Sequence, residues 1–110
     1  MINGAHLSNL PIACTLTPAE LQQRRAGLLP GLLARAVGRI PVPDGYRWRF
    51  APADDLLPAL ASVIDAERRC CRFLHFVVAV EPHGGPISLE VSGPLGTRAF
   101  LDQLVAGVVP

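Results

Sequence analysis

Apolar positions between Asp54 and Leu74 recur at helical spacing. Leu56, Leu57, Leu60, Ile64 and Leu74 fall on one side when the chain is wound at about 100° per residue. The same winding sets Glu67 and Cys71 within about 20° of the centre of that stripe. The inward side of a helix running from about Asp54 to about Cys71 is therefore expected to carry a carboxylate and a thiol, with Cys70 at the edge of the same face.

The rest of the chain alternates between the two periods. Thr17-Pro18-Ala19-Glu20 supplies a hydroxyl cap, a first-turn proline and a glutamate able to reach back, so a first helix starts there. Leu21, Leu28, Leu29, Leu32, Leu33, Ala36 and Val37 give it an apolar face, and Pro30-Gly31 predicts a kink or break within it. Ile40 to Val42 and Tyr46 to Phe50 then flank Pro43-Asp44-Gly45, which predicts a hairpin turning at a glycine tolerant of left-handed backbone. The second of these strands alternates, with Tyr46, Trp48 and Phe50 on one face and Arg47 and Arg49 on the other. After the central helix, Phe76 to Val80 is apolar on both faces. Pro82-His83-Gly84-Gly85-Pro86 turns the chain into a strand where Ile87, Leu89 and Val91 alternate with Ser88, Glu90 and Ser92. Gly93-Pro94 ends it, and Thr97 to Val105 forms a last helix with Phe100, Leu101 and Leu104 inward.

The order αββαββα predicts an α+β two-layer sandwich, a four-stranded and mainly antiparallel sheet with helices on one face. Residues 1–12 read as a loose lead-in and residues 13–110 as a single domain. That length suffices to bury roughly two thirds of the unfolded surface around one core.

Composition narrows the function classes. Half of the residues are apolar, yet apolar runs fall well short of the roughly 20 residues that a bilayer span requires. The net charge of +1 and the few aromatics argue against nucleic acid as a partner. All ten cations are arginine, which reads as genome composition before function. Three cysteines, two of them adjacent, favour reduced thiols over a disulfide framework. Met1 to Asn9 lacks a signal-peptide pattern, so the expected location is the cytoplasm.

A buried carboxylate costs several kcal/mol or takes up a proton, so Glu67 requires an arginine, a donor network, a metal or a proton-transfer role. Arg24, Arg35 or Arg98 are the candidates for a purely structural pairing. Cys70 and Cys71 read equally as small core residues. His75 and His83 are expected in solvent, at a strand start and in a turn, and Glu81 and Glu90 offer cross-strand partners to Arg47 and Arg49.

The string Glu67-Arg68-Arg69-Cys70-Cys71-Arg72-Phe73-Leu74 resembles a group of small uncharacterised bacterial proteins with a Glu-Arg-x-Cys-Cys-x-Phe-Leu motif. The likeness extends to Cys14-Thr15-Leu16-Thr17, Asp44-Gly45-Tyr46 with Phe50, Gly85-Pro86-Ile87 and Gly93-Pro94. It implies no assigned reaction. It does imply that a cysteine at the position of Cys14 accompanies the vicinal pair. Arg72 departs from the pattern, in which proline is common.

Three functional readings follow. In the first, Cys70 and Cys71, with Cys14 and Glu67, hold a thiophilic ion such as Zn, Cu(I), Hg or trivalent arsenic, and His75 is a further candidate ligand. In the second, the protein is an interaction module that forms a homodimer through its open sheet face. In the third, it is a small enzyme with Cys71 as nucleophile and Glu67 or His75 as proton donor or acceptor, its thiol activated by Arg68, Arg69 and Arg72 where these lie close.

Overall fold

The structure, a computed structural model, describes residues 29–106 apart from the side chains of Cys70 and Ala106. The elements are α1 (Leu29–Leu33), β1 (Gly38–Val42), β2 (Gly45–Phe50), α2 (Leu56–Cys70), β3 (His75–Val80), β4 (Ile87–Ser92) and α3 (Thr97–Ala106). The four strands form one antiparallel sheet in the order β1-β2-β4-β3, so the α+β class and the order αββαββα are those read from the pattern. The lead-in, the Thr17 helix start and the edges of the 13–110 domain lie outside the described residues. Among these, no helix is long and apolar enough to cross a membrane.

Period-two alternation decides the two layers. Tyr46, Trp48 and Phe50 of β2 and Ile87, Leu89 and Val91 of β4 are buried on one face. Leu29, Leu32 and Leu33 of α1, Leu56, Leu60 and Val63 of α2, Cys71, Phe73 and Leu74 after it, and Leu101, Leu104 and Val105 of α3 complete the core. The opposite face is polar where β2 meets β4: Arg47 stands across from Glu90 and donates to it at 2.8 Å. Arg47 thus takes the cross-strand partner that its alternation predicts.

Several local expectations change. The first helix stops at Leu33. Val37 is exposed and donates its backbone N–H to the Arg49 carbonyl at 2.7 Å, which extends the sheet rather than the helix. In the β1–β2 turn the left-handed residue is Asp44, at φ 55°, and not Gly45. Gly45 serves the close pairing with β4 instead, since a Cβ there would sit 2.0 Å from the Val91 carbonyl oxygen. Along α2, Leu57 is exposed and Val63 is buried, so the stripe is rotated from the predicted one. Leu74 is buried but lies beyond the helix, in the turn into β3.

Asp55 is the N-cap residue of α2, yet its side chain does not cap. Arg35 grips it by two hydrogen bonds, at 3.0 and 3.1 Å, tying the turn after α1 to the start of α2. Those bonds hold the Asp55 carboxyl below the ordinary carboxylate range.

Candidate functional site

The end of α2 is where the chain carries buried polar chemistry. Glu67 and Cys71 are each only 2% exposed, one helical turn apart on the inward face. Cys71 is the C-cap residue, with φ −110° and ψ 71°, and its N–H closes the last helical hydrogen bond onto the Glu67 carbonyl at 2.7 Å. Its own carbonyl accepts from Leu74 N–H at 3.1 Å, a tight turn that aims the chain into β3. Phe73 packs edge-on against Phe100 of α3 at 5.0 Å, which closes the apolar layer over this corner. The inward placement of the acid and the sulfur is thus the one that the helical phase predicts.

The state of the sulfur is not the predicted one. Cys71 is disulfide-bonded, so the expectation of reduced thiols fails at this residue. A bond length of about 2 Å between sulfurs depends on a neighbour in space, which spacing along a sequence does not report. Glu67 and Cys71 each also engage in interactions beyond the backbone bond that joins them. Cys14 and the Cys70 side chain lie outside the described residues, and among the described residues no three His, Cys, Asp or Glu side chains gather as a metal cage.

The neighbouring charges are arranged differently from the activation scheme. Arg68 and Arg69 both turn back to Asp65, at 3.1 and 2.7 Å, on the exposed side of the helix. Arg72 is exposed as well. Their charge is spent in solvent, at spacings of three and four residues that support the helix by a few tenths of a kcal/mol each. Arg35 is committed to Asp55, and Arg98 donates to the Val42 and Gly45 carbonyls. Arg24 lies outside the described residues. His75 opens β3 exposed to solvent, and His83 sits exposed in the β3–β4 turn with φ 60°, as expected of both.

What this corner can do follows from the helix end. The last carbonyls of α2 point towards Cys71 and carry the negative pole of the helix, which disfavours a thiolate. A sulfur released there as an anion has strong reason to take up a proton, and the Glu67 carboxyl lies one turn back on the same inward face.

A second polar cluster, buried at Tyr46 and exposed at Arg39 and Asp102, was not foreseen. The Tyr46 hydroxyl donates to Asp102 Oδ1 at 2.8 Å, and the Arg39 guanidinium lies 4.1 Å above the Tyr46 ring. That hydrogen bond, with burial second, raises the Tyr46 pKa above its ordinary 10.0. The available signal was a tyrosine among the inward residues of β2, whose hydroxyl requires a partner at the far end of the ring. Thr97, fully buried at the start of α3, donates to the Pro94 carbonyl at 2.7 Å and so closes the turn after β4. Set against protein-family models, curated proteins and solved structures, the chain has no match in any of the three.

Proposed function

We propose that the protein is a thiol–disulfide module in which Cys71 alternates between disulfide and thiol, with Glu67 as the acid that serves its sulfur. The observation that carries this reading is the disulfide-bonded sulfur of Cys71 set one turn from Glu67, both almost wholly buried at the end of α2.

The redox step balances with an external dithiol as reductant. One thiolate of the dithiol attacks the sulfur joined to Cys71, the S–S bond breaks, and its electron pair leaves on the Cys71 sulfur. That sulfur accepts a proton from the Glu67 carboxyl. The second thiol of the reductant, as its thiolate, then attacks the reductant's first sulfur in the mixed disulfide and displaces the protein sulfur, which takes up a proton, so the reductant leaves as its own disulfide and the protein holds two thiols. Burial makes Cys71 a poor target for the attacking thiolate, since the residue is only 2% exposed, and its sulfur leaves readily only when a proton reaches it, because burial and the helix end disfavour the anion. In a cytosol, where structural disulfides are rare, an oxidised cysteine is usually transient and catalytic or redox-sensing. Capture of a thiophilic ion by Cys71, Cys70, Cys14 and Glu67 belongs to the reduced form alone, since a disulfide sulfur is not a thiolate ligand.

The test is a redox titration of the whole chain, followed by alkylation and mass spectrometry of the peptide containing Cys71. The expected result is a reversible midpoint between about −300 and −120 mV, the range of exchanging dithiols. Glu67→Gln is expected to slow reduction by about a hundredfold at neutral pH while the far-UV spectrum is kept. A bond that stays oxidised below about −300 mV marks a structural staple and ends the proposal. Native mass spectrometry of the reduced protein with Zn, Hg or arsenite reads the ion-binding form, which Cys71→Ser abolishes if Cys71 is a ligand.

A further inference from the structure

The two edges of the sheet are unlike. The β1 edge carries Pro41, which lacks an N–H and blunts pairing with another strand. The β3 edge, His75-Phe76-Val77-Val78-Ala79-Val80, has neither proline nor a charged residue inside it, and it ends the sheet with no further strand beside it among the described residues. Val77, Val78 and Val80 are 43%, 38% and 56% exposed. Beneath the edge, Leu57, Ala61 and Ile64 of α2 line an open groove of about 530 Å³ that reaches Val78, with Asp65 and Arg68 at its rim. An apolar strand with a free row of backbone donors and acceptors is a template for another strand.

We propose that β3 pairs antiparallel with β3 of a second copy of this chain, about a two-fold axis through Val78, making one eight-stranded sheet. The register follows from the faces. Phe76, Val78 and Val80 stand opposite Val91, Leu89 and Ile87, so they share the helix side, whereas Val77 and Ala79 stand opposite Glu90 and Ser88 on the open side. The helices of both copies lie on one side of a continuous sheet only when residues of like face meet. Centring on Val78 does this: Val78 meets Val78, Phe76 meets Val80, and Val77 meets Ala79. It also sets His75 of each copy across from Glu81 of the other, a base opposite an acid at both ends of the new ladder, both exposed in the single chain. Pro82, next in line, has no N–H and ends the pairing. Centring on Val77 instead sets His75 across from Ala79 and loses that match. The open sheet face is a poorer seat for a second copy, because Arg47, Arg49 and Glu90 occupy its middle.

Sedimentation equilibrium of the full chain from about 1 to 100 µM tests this. The expected result is a monomer–dimer equilibrium in the wild type and a monomer throughout for Val78→Lys, with far-UV spectra compared to confirm that the variant folds. His75→Glu, at an exposed position, sets acid against acid at both ends and is expected to weaken the dimer about tenfold. His75→Glu combined with Glu81→Lys restores opposite charges, and the dimer recovers. A wild type that stays monomeric at the highest concentration overturns the proposal. So does a dimer that survives Val78→Lys in the folded protein, which seats the second copy on another surface, and so does a double variant no tighter than His75→Glu.

Discussion

Glu67 and Cys71 illustrate how far a single residue can be read from its place in a helical repeat. Their inward direction was legible because side chains four apart on a helix share a face whatever the partners are. The oxidation state of Cys71 and the turning of Arg68 and Arg69 towards Asp65 depend on neighbours in space, so they were not. The same limit appears at Gly45. The Pro43-Asp44-Gly45 turn reads as needing glycine for its backbone angle, yet Asp44 takes the left-handed conformation and Gly45 is required by Val91. Gly45→Ala is therefore expected to destabilise the fold by about 1–3 kcal/mol or more, since the new methyl meets backbone that cannot rotate away. Asp44→Gly is expected to be neutral or stabilising. Urea unfolding midpoints of the two variants check the contrast, and an unchanged midpoint for Gly45→Ala overturns this account of the β2–β4 approach.

Among the elements, strands were easier to delimit than helices. β4 alternates throughout and β2 from Tyr46 onward, and such alternation fixes which face is buried once either residue of a pair is known. The helix α2 was harder because Leu56 and Leu57 are adjacent and only one can face inward. Replacing Leu57 by Val63 in the stripe turns the buried arc into the common core and leaves Leu57 exposed, on the groove that reaches Val78 of β3. Leu60→Ala is expected to cost about 2–5 kcal/mol through the cavity that it leaves, and Leu57→Ala about 0.5 kcal/mol or less. Equal losses in thermal or urea unfolding place the helix at the predicted rotation instead. The early stop of α1 has a similar origin: Ala36 and Val37 continue the apolar spacing, but Val37 bonds to Arg49 across the sheet, a tertiary preference that a periodic pattern does not contain.

For the whole molecule, two tethers set how stability responds to pH, and they act at opposite ends of the scale. Asp55 is held ionised by Arg35, so its contribution is present above the range in which an unfolded aspartate titrates and fades as pH falls through the lower folded value. Tyr46 is held neutral by its hydrogen bond to Asp102, so its contribution is whole below about pH 10 and is lost as pH rises through the higher folded value. Asp55→Asn is expected to flatten the acid limb of a stability-against-pH curve, and Tyr46→Phe the alkaline limb. An acid limb as steep in Asp55→Asn as in the wild type shows that other carboxylates dominate it. The layer architecture was legible at this scale because seven elements with the right periods admit few packings, and a sheet wet on one face requires its helices on the other.

The strand order carries one more consequence, in time rather than space. Each hairpin, β1 with β2 and β3 with β4, joins neighbours along the chain and can zip locally. The seam between β2 and β4 joins the hairpins, and even its closest pair, Phe50 and Ile87, has all of α2 and β3 between its members. Closing that loop carries the larger entropic cost, so the β2–β4 seam is expected to form after the two hairpins, an order that refolding rates of variants at Phe50 and Ile87 check.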